Sequence, residues 1–166
     1  MIFVTVGSVF PFDRLIRAMD VWAGQSGRGD VVAQIGEGQY LPQHMAHDRR
    51  ITQAAFAARV AEAEVVVSHA GMGTVITAGR AGRPLVLLPR RREWGEHNTD
   101  HQVATANWLR GKPGIFVAER EDDLALCIAA ALAANASTGA TVAAVADAGF
   151  TDRLHSAIVA LGTRRR

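Results

Sequence analysis

The stretch that most constrains the fold is residues 65–102, in which short apolar runs alternate with glycine-containing turns. Residues 65–67 are three valines, which is typical of a buried parallel strand. Residues 68–73 form a turn with two glycines, and a helical pattern follows from Thr74. A glycine and a proline end that helix before residues 84–88, which predict a second buried strand. The stretch therefore predicts a strand, a glycine turn, a helix and another strand.

The glycine turn and the helix start predict an anion site. The N-terminus of a helix has free N–H groups and the positive end of the helix dipole, which suit a phosphate. Gly71 and Gly73 allow close approach of the backbone, and His69 and Thr74 offer hydrogen bonds to anion oxygens. Ile76 occupies the third glycine position of the dinucleotide fingerprint, so the turn does not match that motif. A simple tight connection is the alternative interpretation.

Composition limits the class of protein. The 166 residues predict one domain, residues 1–166, with a helical tail over residues 141–166. A net charge of +2 is too small to predict nucleic-acid binding, although arginines cluster at residues 90–92 and 164–166. The single cysteine, Cys127, excludes a disulfide within the chain and favours a reducing, cytoplasmic compartment. No signal peptide or membrane-length apolar run is visible, so we expect any membrane association to be peripheral or to come through a partner.

The remaining segments complete an alternation of strands and helices, which predicts parallel pairing in a doubly wound open sheet of about five strands. The predicted strands are residues 2–6, 31–35, 65–67, 84–88 and 115–117. Two of the predicted helices begin at Asp13, which acts as a cap, and at Thr74. Four more span residues 52–63, 98–110, 121–134 and 141–161, and a loop is predicted at residues 135–139. Ligands bind such sheets at the carboxyl ends of the strands. The loops at those ends are residues 7–12, 36–48, 68–73 and 89–97.

Three motifs carry a resemblance to a known family. They are Ser68-His69-Ala70-Gly71-Met72-Gly73-Thr74, Gly82-Arg83-Pro84 and His97-x-x-Asp100-His101-Gln102. Together they resemble the C-terminal domain of family 28 glycosyltransferases. The beginning of the chain, with Gly7, Ser8 and Pro11, is similar to the small stand-alone members of that group. Those members are the catalytic subunit of the eukaryotic two-subunit N-acetylglucosaminyltransferase and the PssE-type subunits of bacterial exopolysaccharide synthesis.

The resemblance implies a Rossmann-like domain that forms the donor-binding half of a GT-B glycosyltransferase. Its activity would be inverting hexosyl transfer from a UDP-sugar, with no cofactor beyond the donor substrate and no metal. The implied donor-binding residues are Gly7, Ser8, His69, Ala70, Gly71, Met72, Gly73, Thr74, Arg90, Glu96, His97, His101 and Gln102.

One position departs from the family pattern. Many relatives have a glutamate in the helix after the glycine turn, which reaches the ribose, and this chain has Thr77 there. Glu96 is the candidate substitute from the neighbouring loop. Arginines 90–92 are candidates for binding the diphosphate or the carboxylate of a donor such as glucuronate.

The resemblance also implies a partner, because the domain has no acceptor site of its own. We expect a membrane-anchored acceptor-binding subunit, similar to the second subunit of the eukaryotic enzyme or to the PssD type. That subunit would carry the general base and would hold the chain at the inner face of the cell membrane. The acceptor would be a lipid-linked sugar.

Other classes of protein explain the same residues less well. His97 and His101, with Glu93 or Glu96, have the spacing of a zinc site, but the order is not that of a zinc protease. Ser68 is not within a Gly-x-Ser-x-Gly motif, which argues against a serine hydrolase. The main alternative is a non-catalytic nucleotide-sugar-binding or assembly subunit. Turnover in the presence of a partner would separate that alternative from an enzyme.

Overall fold

The computed structural model describes residues 1–138, with side chains as far as Ala134. Its six-stranded parallel sheet has the order β3-β2-β1-β4-β5-β6. The strands are β1 Ile2–Thr5, β2 Val31–Gln34, β3 Ala46–Asp48, β4 Val65–Ser68, β5 Leu85–Leu87 and β6 Ile115–Val117. The helices are α1 Asp13–Ser26, α2 Gln53–Glu62, α3 Met72–Arg80, α4 His101–Leu109 and α5 Leu124–Thr138. Single 3₁₀ turns lie at Arg92–Trp94 and Glu121–Asp123.

Apolar cores on both faces of the sheet hold this architecture together. Strands β1, β4 and β5 are buried along their whole length, as parallel strands covered on two faces must be. Alternate residues of β1 enter opposite cores: Ile2 and Val4 pack with α1 and α5, while Phe3 packs with α2, α3 and α4. Phe3 meets Phe56 of α2 edge to face at 5.8 Å between ring centroids. The prediction of a doubly wound, Rossmann-like parallel sheet is confirmed.

The order in which strands are added to the sheet reverses beside β1. After β1 the chain builds outward through β2 and β3, and it then returns to pair β4 with the other edge of β1. Thr5 at the end of β1 lies in register with Gln34 of β2 and with Ser68 of β4. Parallel α/β sheets bind ligands in the crevice at such a reversal. The topology therefore brings the loops after β1 and β4 together.

The predicted count of five strands is wrong by one. Strand β3 lies within residues 36–48, for which the sequence predicts a loop. All three β3 residues are exposed at the edge of the sheet, so they lack the apolar run that marks a buried strand. Their pairing with β2 comes from tertiary contacts.

Several element boundaries also differ from the predictions. Asp13 is the first residue of α1 rather than its cap, and its Oδ2 accepts the N–H of Gln39 at 3.0 Å. Helix α5 begins after a 3₁₀ turn and extends to Thr138, so most of the predicted 135–139 loop is helical. The predicted tail over 141–166 lies outside the described residues. Within residues 1–138, no helix has the length and apolarity needed to cross a bilayer.

Candidate functional site

A cleft of about 1060 Å³ opens at the carboxyl ends of the central strands and extends between α2 and α3. It is lined by ten of the residues implied by the resemblance: Gly7, Ser8, His69, Gly71, Gly73, Thr74, Arg90, His97, His101 and Gln102. The remaining three, Ala70, Met72 and Glu96, are not among its lining residues.

The loop between β1 and α1, residues 6–12, forms one wall of the cleft. Gly7 has a φ of +75°, a conformation that glycine adopts without strain. Its N–H donates to Thr5 Oγ1 at 3.2 Å, and its carbonyl accepts Gln34 Nε2 at 3.1 Å. Thr5 Oγ1 in turn donates to Gln34 Oε1 at 2.7 Å, and both side chains are buried. The next three amides, of residues 8–10, donate no hydrogen bond within the described part of the chain.

His69 fills the space between the loops that follow β1 and β4. A Cβ placed on Gly7 would lie 2.7 Å from His69 Cε1, and one on Gly71 would overlap the ring at Nε2. His69 Nδ1 lies 3.2 Å from Ser68 Oγ. Burial, together with the positive charge of Arg90, lowers the pKa of His69 to about 3. The imidazole is therefore neutral at physiological pH.

The start of α3 forms the opposite wall. Gly71 is its N-cap in an extended conformation, with no side-chain cap. The amides of Met72 and Gly73 have no acceptor among residues 1–138, as is usual for the first turn of a helix. A Cβ on Gly73 would meet nothing within 4 Å, so its bare backbone faces open space. Thr77 also lines the cleft, and its Oγ1 donates back to the Gly73 carbonyl at 2.8 Å.

Arg90 lies at the base of the cleft and is only 3% exposed. Its Nη2 donates to the carbonyls of Val6 at 2.7 Å and Phe10 at 2.5 Å, and its guanidinium stands 5.0 Å from the centroid of the Phe12 ring. It forms no ion pair with the side chains that the structure describes. Burial lowers the pKa of Arg90 to about 10, so the side chain stays cationic at neutral pH.

Two histidines and a glutamine form the end of the cleft at α4. The His97 and His101 rings meet edge to face at 4.4 Å, and His97 also meets Phe10 at 4.8 Å. His97 Nδ1 accepts the Thr99 N–H at 3.2 Å, so the neutral ring carries its proton on Nε2. Burial, the neighbouring His101 and Arg90 lower the pKa of His97.

Glu96 does not reach the cleft, contrary to its expected role as a substitute for the ribose-binding glutamate. Its two carboxylate oxygens receive Arg14 Nε at 2.6 Å and Arg14 Nη2 at 2.9 Å. Glu96 Oε2 also accepts the Arg91 N–H. Both side chains of this ion pair are largely buried, with Arg14 14% and Glu96 11% exposed. The carboxylate therefore connects the 89–97 loop to Arg14 of α1.

The other two arginines of the 90–92 run also lie off the cleft. Arg91 Nη2 donates to the Glu119 carbonyl at 3.3 Å, and its guanidinium lies near the Trp94 ring. The side chain of Arg92 is exposed and does not line the cleft.

Several lining residues were not identified from the sequence. The strand ends contribute Thr5 and Gln34, and α2, α3 and their flanks contribute Ile51, Phe56 and Arg80. Gln34 carried one usable signal, since it is a polar residue at the carboxyl end of an apolar strand. The α2 residues carried none, because apolar residues on an amphipathic helix are normally assigned to the core. Across residues 1–138, no three His, Cys, Asp or Glu side chains are grouped to hold a metal.

The fold and the cleft define a Rossmann-like domain with a site suited to an anionic ligand. The chain belongs to the glycosyltransferase family 28 C-terminal domain, whose family model matches residues 1–152. This family assignment supports a transferase.

Two solved structures are similar in fold. One is the glycotransferase of kitacinnamycin, with 21% identity and a TM-score of 0.57, covering 82% of this chain and 35% of that one. The other is MurG of Acinetobacter baumannii, with 17% identity and a TM-score of 0.52, covering 82% of this chain and 45% of that one. The chain thus spans less than half the length of either. No curated protein matches the chain significantly.

Proposed function

We propose that the chain is the donor-binding, catalytic subunit of a two-component glycosyltransferase. It would be an inverting hexosyltransferase that moves a sugar from a UDP-sugar to a lipid-linked acceptor in polysaccharide synthesis. The observation that carries the donor part is the charge balance of the cleft. Its lining includes three arginines and three histidines but no aspartate or glutamate among the residues described. A nucleoside diphosphate matches this balance.

The unpaired amides on the two walls are the proposed diphosphate contacts. Residues 8–10 on one wall, and Met72 and Gly73 on the other, have N–H groups that find no acceptor among residues 1–138. Amides at a helix N-terminus bind phosphate without side-chain charge. His69, neutral and fixed between the two walls, would contribute one further hydrogen bond.

The base and ribose are proposed to lie where the cleft runs between α2 and α3. Ile51 and Phe56 provide an apolar surface there, and Thr77 lies across the cleft from them. A threonine hydroxyl offers the ribose fewer acceptor sites than a carboxylate does. The family resemblance supports uridine as the base.

The donor sugar is proposed to lie against His97, His101 and Gln102. Glucuronate is a candidate sugar because its carboxylate fits a cleft without acidic side chains. That carboxylate would meet the two histidines rather than Arg91 or Arg92, whose side chains lie outside the cleft.

Nucleotide binding by calorimetry tests the donor site, with Gly73→Val as the informative variant. We expect wild type to bind UDP, and Gly73→Val to lose UDP affinity by about tenfold or more, because a side chain there blocks approach of phosphate to the backbone. Its stability should change little, since the Cβ enters open space. Gly29→Val is the matched control, because Gly29 also has open space around its Cβ but lies in the turn before β2, outside the cleft. Unchanged UDP affinity in Gly73→Val would contradict the proposed site.

A further inference from the structure

We propose that Arg90 is a positioning residue, which shapes the β1–α1 loop so that its amides remain free for the diphosphate. The guanidinium does this by binding the carbonyls of Val6 and Phe10, at the two ends of the segment that carries those amides. The inference rests on the proposed function, because it assigns a role within the donor site.

The loop geometry supports this role. Three of its carbonyls, of Val6, Gly7 and Phe10, are bound by two buried side chains, Arg90 and Gln34. The amides of residues 8–10 have no acceptor in the described chain, and these same residues line the cleft. Successive backbone N–H groups in a turn form anion-binding concavities, and residues 8–10 offer three such groups in a segment whose flanking carbonyls are held.

Arg90 suits this role better than a neutral donor would. Its Nη2 group alone reaches two carbonyls that are four residues apart in sequence, and the guanidinium lies over the ring of Phe12, the residue just before α1. A buried cation without a carboxylate partner costs folding energy, so its presence here needs another explanation. An anionic ligand bound above the loop provides one, because it lowers the cost of the buried charge only when the site is occupied.

Glu96 compensates the charge of Arg90 only through space and forms no hydrogen bond with it. Glu96 is close enough to raise the pKa of Arg90, but its oxygens are occupied by Arg14 and by the Arg91 N–H. The buried Nε of Arg90 has no hydrogen-bond partner in the part of the chain that the structure describes. The positive charge therefore remains under the loop.

Arg90 also links the loop to α4. Its backbone N–H donates to Gln102 Oε1 at 3.1 Å, and both residues are buried. Gln102 is one of the residues implied to contact the donor sugar. The same residue therefore fixes the wall proposed for the diphosphate and the glutamine proposed for the sugar.

The test compares Arg90→Lys and Arg90→Met with Arg92→Met as the control. Arg92 belongs to the same run and carries the same charge, but its exposed side chain does not line the cleft. Calorimetry with UDP and with uridine separates loss of the diphosphate contacts from general damage to the protein. NMR relaxation of the amides of residues 8–10, without ligand, reports the order of the loop directly. Thermal unfolding shows whether each variant is folded at the assay temperature.

We expect both Arg90 variants to lose UDP affinity by about tenfold or more, while uridine affinity stays within about twofold. The loop amides should become more mobile in both variants and remain as in wild type in Arg92→Met. Arg90→Lys is decisive, because it keeps the charge but replaces the planar Nη2 group that donates to both carbonyls with a shorter, rotating ammonium. Wild-type UDP affinity and loop order in Arg90→Lys would overturn the inference and assign Arg90 an electrostatic role only.

Failure of the proposed function would give a different result. If wild type binds neither UDP nor uridine, the donor-site proposal is wrong. Relaxation of residues 8–10 still decides the positioning role in that case: an unchanged loop in both Arg90 variants would overturn it, and a mobile loop would support it.

Discussion

Gly71 and Gly73 lie two residues apart in the same turn but have different surroundings. A Cβ on Gly71 would overlap the His69 ring, while the space around Gly73 is open. We expect Gly71→Ala to displace His69 and to destabilise the fold by about 1–3 kcal/mol, the usual cost of overpacking a filled site. Gly73→Ala should leave the stability nearly unchanged. Thermal unfolding of the two variants checks this. Equal stabilities would contradict the position of the His69 ring between the loops that follow β1 and β4.

The lowered pKa of His69 makes a second prediction at the scale of one residue. The unfolded chain takes up a proton near pH 6.5, while the folded chain does so only near pH 3. Stability linked to His69 is therefore complete above about pH 6.5 and is lost as the pH falls toward about 3, with a slope of at most about 1.4 kcal/mol per pH unit. We expect His69→Gln to show a shallower loss of stability over this range. His47→Gln, at an exposed edge-strand position, should match wild type, and a slope in His69→Gln equal to wild type would contradict the assignment.

At the scale of elements, the central strands could be predicted from the sequence because burial on both faces requires continuous apolar runs. Residues 2–6, 65–67 and 84–88 have that pattern, and each corresponds to a buried strand. Strand β3 could not be predicted, because an exposed edge strand of three residues has no such requirement. The end of α5 differs for another reason: Asn135, Ser137 and Thr138 are residue types common in loops, but the helix continues through them.

The candidate site shows a similar division. The rule that ligands bind at the carboxyl ends of strands was enough to select the loops after β1, β4 and β5. It did not show which side chains of a loop point inward, and the arginine run illustrates this. Arg90 is buried against loop carbonyls, while Arg91 and Arg92 turn away from the cleft. Glu96 was likewise expected near the ribose, but Arg14, distant in sequence, binds it elsewhere.

At the scale of the whole molecule, the cleft lies at the carboxyl ends of the central strands, beside the β1–α1 loop and the start of α3. Val9 is 74% exposed beside the cleft, and Met72 and Ile76 on α3 are each 43% exposed. Both solved enzymes of similar fold are more than twice as long as the part that this chain matches. These exposed apolar side chains lie where the proposed partner subunit would bring an acceptor site and the general base.

The last prediction concerns turnover. Purified chain should bind UDP-sugar on its own but transfer sugar to a lipid-linked acceptor only when the membrane-anchored partner is added. The reason is that catalysis in a two-sided site needs the acceptor oriented and deprotonated against the donor carbon, and donor binding alone does neither. Radiolabelled transfer from a panel of neutral and uronic UDP-sugars, with and without the partner, would measure this and identify the sugar.

Gly73→Val with the partner is the control for background activity of the partner itself. Full activity of the chain alone would refute the two-component proposal and assign the base to the cleft, with His97 and His101 as the first candidates. Donor binding without turnover under any condition would favour a non-catalytic binding subunit.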